Sequence, residues 1–101
     1  MEPPAYHVVQ MTLAYTSLAQ AREEAPAMLA DHIARAHALH VAGELLMAGA
    51  FVADGDSPVE TMAVCGSREA AEAFVAGDPF VQAALVPSHP IRVWANMFAS
   101  R

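Results

Sequence analysis

Two separated signals in this 101-residue sequence could together move a proton: His32, inside an alanine-rich stretch, and the tetrapeptide Gly77-Asp78-Pro79-Phe80. Imidazole is the side chain that exchanges protons most readily near neutral pH. A carboxylate beside it fixes which ring nitrogen carries the hydrogen and stabilises the imidazolium once that forms. Each signal also has an ordinary structural use. A helical histidine is often a half-buried polar residue, and an aspartate before proline is a helix cap whose oxygen accepts from free backbone N–H groups. For Asp78 the two uses are compatible, because one carboxylate oxygen can cap while the other accepts from His32.

The remaining reactive side chains suggest less. His37 and His40 stand at i,i+3, but His32 is rotated away from His37 and no acid completes the face, so no metal site is expected. Cys65 has no histidine near it in sequence and no second cysteine to pair with, which fits a reducing compartment and argues against a nucleophile. Asp54 and Asp56 flank Gly55 in a stretch rich in turn formers, with too few ligands at the right spacing for calcium. Met11, Met28, Met47, Met62 and Met97 are core fillers that would also suit a pocket for a flat apolar ligand.

The elements that must position the pair follow from periodicity. Tyr6–Ala14 alternates as a strand, with Val9, Met11 and Leu13 on one face and Val8, Gln10 and Thr12 on the other. The polar segment 16–24 shows no clear element. Pro26 suits a first helical turn, and 26–41 reads as a helix with Leu29, Ile33, Ala36 and His40 on one stripe. On its outer side Asp31 and Arg35 form an exposed i,i+4 pair. Gly43 stops the helix. Strands follow at 45–52 and 59–64, joined by the breakers Asp54 to Pro58. Ser67 caps a helix through Ala76, and Asp78 caps a further short turn, with Pro79 at its first position, running to about Leu85. A last strand, 91–98, places Ile91, Val93, Ala95 and Met97 on one side and Arg92, Trp94, Asn96 and Phe98 on the other.

Strand, helix, strand, strand, helix, strand predicts an α+β, ferredoxin-like βαββαβ domain spanning 1–101: a four-stranded antiparallel sheet with its helices on one face. The other face carries Trp94 and Phe98 among polar residues, too apolar to stand bare. Much of the 55% hydrophobic share is alanine, so an isolated copy has a thin core. A homodimer joined through the sheet faces answers both points.

Charge narrows the partners. The net charge is −6, with five arginines and no lysine, so the cationic surface that nucleic acid requires is missing. No apolar run is long enough to span a bilayer, and the first residues lack a basic segment followed by an apolar one. The expectation is a cytoplasmic protein with a small-molecule substrate, no nucleic-acid or membrane partner, and a composition typical of a GC-rich bacterial genome.

Four segments in order resemble the YCII-related domain family: Asp31-His32-Ile33 with Leu39; Gly43-Glu44-Leu45-Leu46-Met47-Ala48-Gly49-Ala50-Phe51; Ala73-Phe74-Val75-Ala76-Gly77-Asp78-Pro79-Phe80 with Val81; and the late Trp94. The resemblance covers nearly the whole chain. It implies a dimeric α+β barrel in which the helix histidine and the aspartate before proline share a small pocket as a proposed catalytic dyad, roles that fall on His32 and Asp78. Family relatives include a domain linked to dechlorination of hydroxylated aromatics, and fold neighbours include lactone isomerases and the polyketide cyclases of secondary metabolism. Two positions depart from the family pattern. Leu29 stands where an arginine often precedes the histidine by three residues, and Ala50 stands where proline often follows the glycine. The first departure removes an anion anchor, for which Arg92 is the substitute.

Two functions are compatible with these residues. In the first, the protein is a cofactor-independent acid–base enzyme of lyase or isomerase type on a small apolar or aromatic metabolite. His32 transfers the proton and Asp78 orients it, Trp94, Phe80 and Met47 form apolar walls, Arg92 supports a developing oxyanion, and Ser67 offers a hydrogen bond. In the second, the same fold is a non-catalytic binding or accessory dimer.

Overall fold

The computed structural model describes residues 5–52 and 57–98, so the expected turn at Asp54–Asp56 lies outside the described residues. Strands β1 (Ala5–Thr12), β2 (Leu45–Ala50), β3 (Glu60–Cys65) and β4 (Ile91–Ala95) form one antiparallel sheet in the order β2-β3-β1-β4. Helices α1 (Leu18–Glu24), α2 (Pro26–Val41), α3 (Arg68–Gly77) and α4 (Pro79–Gln82) fill the connections. This is the ferredoxin-like α+β arrangement. β4 is shorter than expected because pairing with β1 ends at Ala95, opposite Ala5.

Register fixes which side chains share a face. Val9 pairs with Ala63 and Ile91, and Met11 with Thr61, so Val9, Met11, Ala63 and Cys65 meet the helices in the core with Phe74 and Phe80. On the opposite face Val8 pairs with Val64 and Arg92, and Tyr6 with Trp94. Val8 and Val64 are buried there, outside the main core, while Trp94 is half exposed. A register shift between Leu45 and Met47 changes the phase of β2. Leu45 enters the core, but Met47 pairs with Val64 and turns to the open face.

The helix ends are set by local chemistry. Ser17 accepts from the Gln20 amide at 3.1 Å, and the Gln20 carboxamide accepts from the Thr16 amide at 2.7 Å, a reciprocal cap that starts α1. The polar segment 16–24, expected to hold no clear element, therefore contains a helix anchored by buried Ala21. α2 ends with Gly43 at φ +81°, which lets the Gly43 and Glu44 amides return to the carbonyls of His40 and Leu39. The same closure ends α4 with Ala84 at φ 60°, a conformation glycine adopts more cheaply.

α2 carries no fully buried residue. Leu29, His32, Ile33 and Ala36, on the side turned toward the sheet, line a cavity rather than packed core. Ile33 is accordingly 58% exposed, and His40 is exposed with Nδ1–H donating to the Leu45 carbonyl. The Asp31–Arg35 pair does not form. Arg35 turns inward instead, donating to the carbonyls of Phe74 at 2.9 Å and Ala73 at 2.7 Å, with its guanidinium over the Phe74 ring. These carbonyls lie toward the negative C-terminal end of the α3 dipole, which attracts a cation, whereas an exposed ion pair with Asp31 would gain little.

Candidate active site

Pro79 disfavours helical backbone in the residue before it, so α3 stops at Gly77 and Asp78 adopts an extended conformation at φ −71°, ψ 129°. Asp78 is thereby the first residue outside one helix and the cap of the next. Its Oδ2 accepts from the Phe80 and Val81 amides at 3.0 and 3.1 Å. Its Oδ1 faces Nδ1 of His32 in a hydrogen bond between the two side chains. The carboxylate is 1% exposed, and burial at that depth is tolerable because three donors converge on it.

Each residue of Gly77-Asp78-Pro79-Phe80 has a definable task in this corner. A Cβ on Gly77 would lie 2.4 Å from an Arg35 guanidinium nitrogen, so the glycine leaves room for the clamp that joins α2 to α3. Arg35 stands one turn after His32 on α2, which holds the imidazole at the α3–α4 corner. Phe80 is buried edge-on to His32, with ring centroids 5.7 Å apart, and Phe74 also meets the histidine edge-on, at 6.4 Å.

The clamp can be tested by a double-mutant cycle. Gly77→Ala is expected to cost about 1–2 kcal/mol in denaturant unfolding, because a displaced Arg35 loses two charge-assisted hydrogen bonds. With Arg35→Ala already in place, the same substitution should be neutral or stabilising, since alanine is the better helix former. Equal costs in both backgrounds would show that the glycine serves something other than Arg35.

His32 is 22% exposed and lines a cavity of about 320 Å³ between α1, α2 and the sheet. Because Nδ1–H donates to Asp78, the neutral ring presents Nε2 as its acceptor, poised for proton exchange. The walls are chiefly apolar, from Met11, Leu13, Leu29, Ile33, Phe74 and Phe80. The arrangement can hold a small apolar molecule against a histidine whose tautomer a buried carboxylate fixes.

Of the residues singled out from the sequence, His32, Asp78 and Phe80 come together at this cavity. Met11 and Met62 line it as well, whereas Arg92, Trp94, Met47 and Ser67 do not join them. Arg92 and Trp94 lie in a shallow depression with Val8 and Gln10 on the open sheet face, away from the helices. Met47 lies beside Phe51 in a separate depression at the β2 edge, put there by the register shift. Ser67 caps α3, accepting from the Ala70 amide at 3.1 Å, and is exposed. Leu29, where the resemblance anticipates arginine, adds apolar wall.

Arg22 also lines the cavity, from the last turn of α1. Its signal in the sequence was the Ser17-Leu18-Ala19-Gln20 capping pattern, which places it on a helix. Among the described residues, no three histidine, cysteine or acidic side chains gather as metal ligands. Cys65 is buried in the core, where desolvation, reinforced by the Glu44 charge, pushes its thiol above the ordinary value and leaves it a poor nucleophile. No helix among the described residues is long and apolar enough to cross a membrane.

Comparison with known proteins places the chain. The YCII-related domain matches residues 8–95, and the protein belongs to that family. No curated protein sequence matches the chain. Among solved structures, it resembles the 5-chloro-2-hydroxyhydroquinone dehydrochlorinase of Burkholderia phenoliruptrix AC1100, in complex with 2,5-dihydroxybenzoquinone, at a TM-score of 0.58 and 18% identity, covering 87% of this chain and 92% of that one. Weaker likeness, at a TM-score of 0.47 and 16% identity over 97% of this chain and all of the other, extends to a heme-degrader of Mycobacterium tuberculosis. At these identities the likeness shows a common fold.

Proposed function

We propose that this member of the YCII-related family is an acid–base enzyme acting on a small apolar or aromatic metabolite, with His32 as the proton carrier and Asp78 as the residue that orients it. The observation that carries this reading is the division of labour at Asp78. One oxygen is spent on the helix cap, and the other meets Nδ1 of a histidine that lines a cavity. In the reaction, Nε2 takes a proton from a carbon next to a carbonyl or from a hydroxyl, and the electron pair left behind moves into the substrate. The carboxylate stabilises the resulting imidazolium. The imidazolium then returns the proton, either to a different substrate atom in isomerisation or cyclisation, or to the leaving group in elimination.

The solved structure with the higher TM-score is named as a dehydrochlorinase, which makes loss of hydrogen chloride from chlorinated hydroxyquinols the first reaction to assay. The open sheet face, with Trp94 and Met47 half exposed and Phe51 beside Met47, is the surface through which two copies would join. His32→Ala is expected to lower turnover by at least about 10²–10⁴-fold, the range that positioned proton transfer contributes. Its circular dichroism and its mass by light scattering should match those of the wild type. Full turnover in that variant would overturn the enzymatic reading and leave the same cavity as a binding site without proton transfer.

A further inference from the structure

Among the described residues the cavity has one arginine, and that residue has no assigned work. Arg22 lines the same space as His32 and Asp78, yet among the described residues it makes no ion pair and no side-chain hydrogen bond. Glu23 and Glu24 follow it in sequence without reaching it. Apart from the His32–Asp78 pair and the Thr61 hydroxyl, the side chains around it are neutral and apolar. A volume of about 320 Å³ suits a single substituted ring, which would bring its polar groups to these few points.

We infer that Arg22 is the specificity-determining residue of the site, and that the substrate carries an anionic oxygen, a carboxylate or a phenolate, on that small apolar frame. A guanidinium stays charged across the physiological range and presents paired donors matched to a carboxylate. Arg22 is exposed, so it stands at the mouth and keeps part of its hydration. The gain it gives is therefore modest and directs orientation: the anion stays at the mouth while the ring enters toward His32. A competing use for Arg22 is favourable placement at the negative end of the α1 dipole, which would affect stability and not binding.

The inference rests on reading this cavity as the substrate site, and its test reads binding so that it stands or falls apart from turnover. Benzoate and benzamide are nearly equal in size and differ in charge. In NMR titrations of the full chain at pH 8, benzoate should bind about 3–5-fold more tightly than benzamide, the scale of one partly solvated ion pair. Arg22→Gln should bring benzoate down to the benzamide level, leave benzamide unchanged and keep the melting temperature, whereas Arg22→Lys should retain part of the preference. Equal affinities in the wild type, a preference that survives Arg22→Gln, or no shift of cavity resonances by either probe would overturn the inference. A His32→Ala protein that still turned over would refute the acid–base reading without touching this result.

Discussion

Asp78→Asn is expected to leave the protein folded and lower turnover by about 10³–10⁴-fold, close to the cost of the same exchange in a hydrolase triad. The carboxamide oxygen can still accept from the Phe80 and Val81 amides, so the cap on α4 survives. The amide nitrogen then faces Nδ1 of His32, and it can only donate. Nδ1 must become the acceptor, the ring hydrogen moves to Nε2, and the lone pair that would take the substrate proton is lost. The negative charge that stabilises the imidazolium is lost as well. Steady-state rates set beside thermal melts of the two proteins check this. Turnover within tenfold of wild type would show that the carboxylate serves only as a cap.

The largest expected loss of stability comes from Phe80→Ala, about 3–5 kcal/mol in denaturant unfolding. Phe80 is 1% exposed and meets Tyr15 edge-on at 6.0 Å as well as His32, so its removal opens a hole where α4, α2 and the segment after β1 converge. Domains of this size have only about 5–15 kcal/mol in hand, and a fall in melting temperature of at least about 12 °C follows. Phe80→Leu, which retains most of the volume, should fold with a much smaller loss and allow the orientation of His32 to be assessed separately. A cost below about 1.5 kcal/mol for the alanine variant would mean that the aromatic contacts contribute little to this corner.

How much of this was legible beforehand depends on the range of the interaction concerned. Asp78 could be read as a cap because Asp-Pro is a local signal, and alternation in β1 and β4 correctly separated the Val9 and Ile91 face from the Val8 and Arg92 face. The sequence could not show which face the cavity of His32 would occupy. That cavity lies under the helices, which separates Arg92 and Trp94 from it although both stand on an apolar, partly polar surface suited to a pocket. Met47 was misplaced by one residue of register shift, a feature of strand pairing and not of composition. Arg35 turned from Asp31 to the carbonyls of α3, thirty-eight and thirty-nine residues onward, a contact that no local spacing encodes. α1 is the opposite case, since its Ser17 to Gln20 cap is local and was visible, but polar content outweighed it.

The account depends on which nitrogen of His32 carries the hydrogen. Long-range ¹H–¹⁵N correlation of the histidine rings at alkaline pH reads this directly, in the wild type and in Asp78→Asn. The prediction is a neutral ring protonated at Nδ1 with a bare Nε2 in the wild type, and the reverse in the variant. A wild-type His32 protonated at Nε2, or one whose signals match those of exposed His37 and do not move in Asp78→Asn, would contradict it.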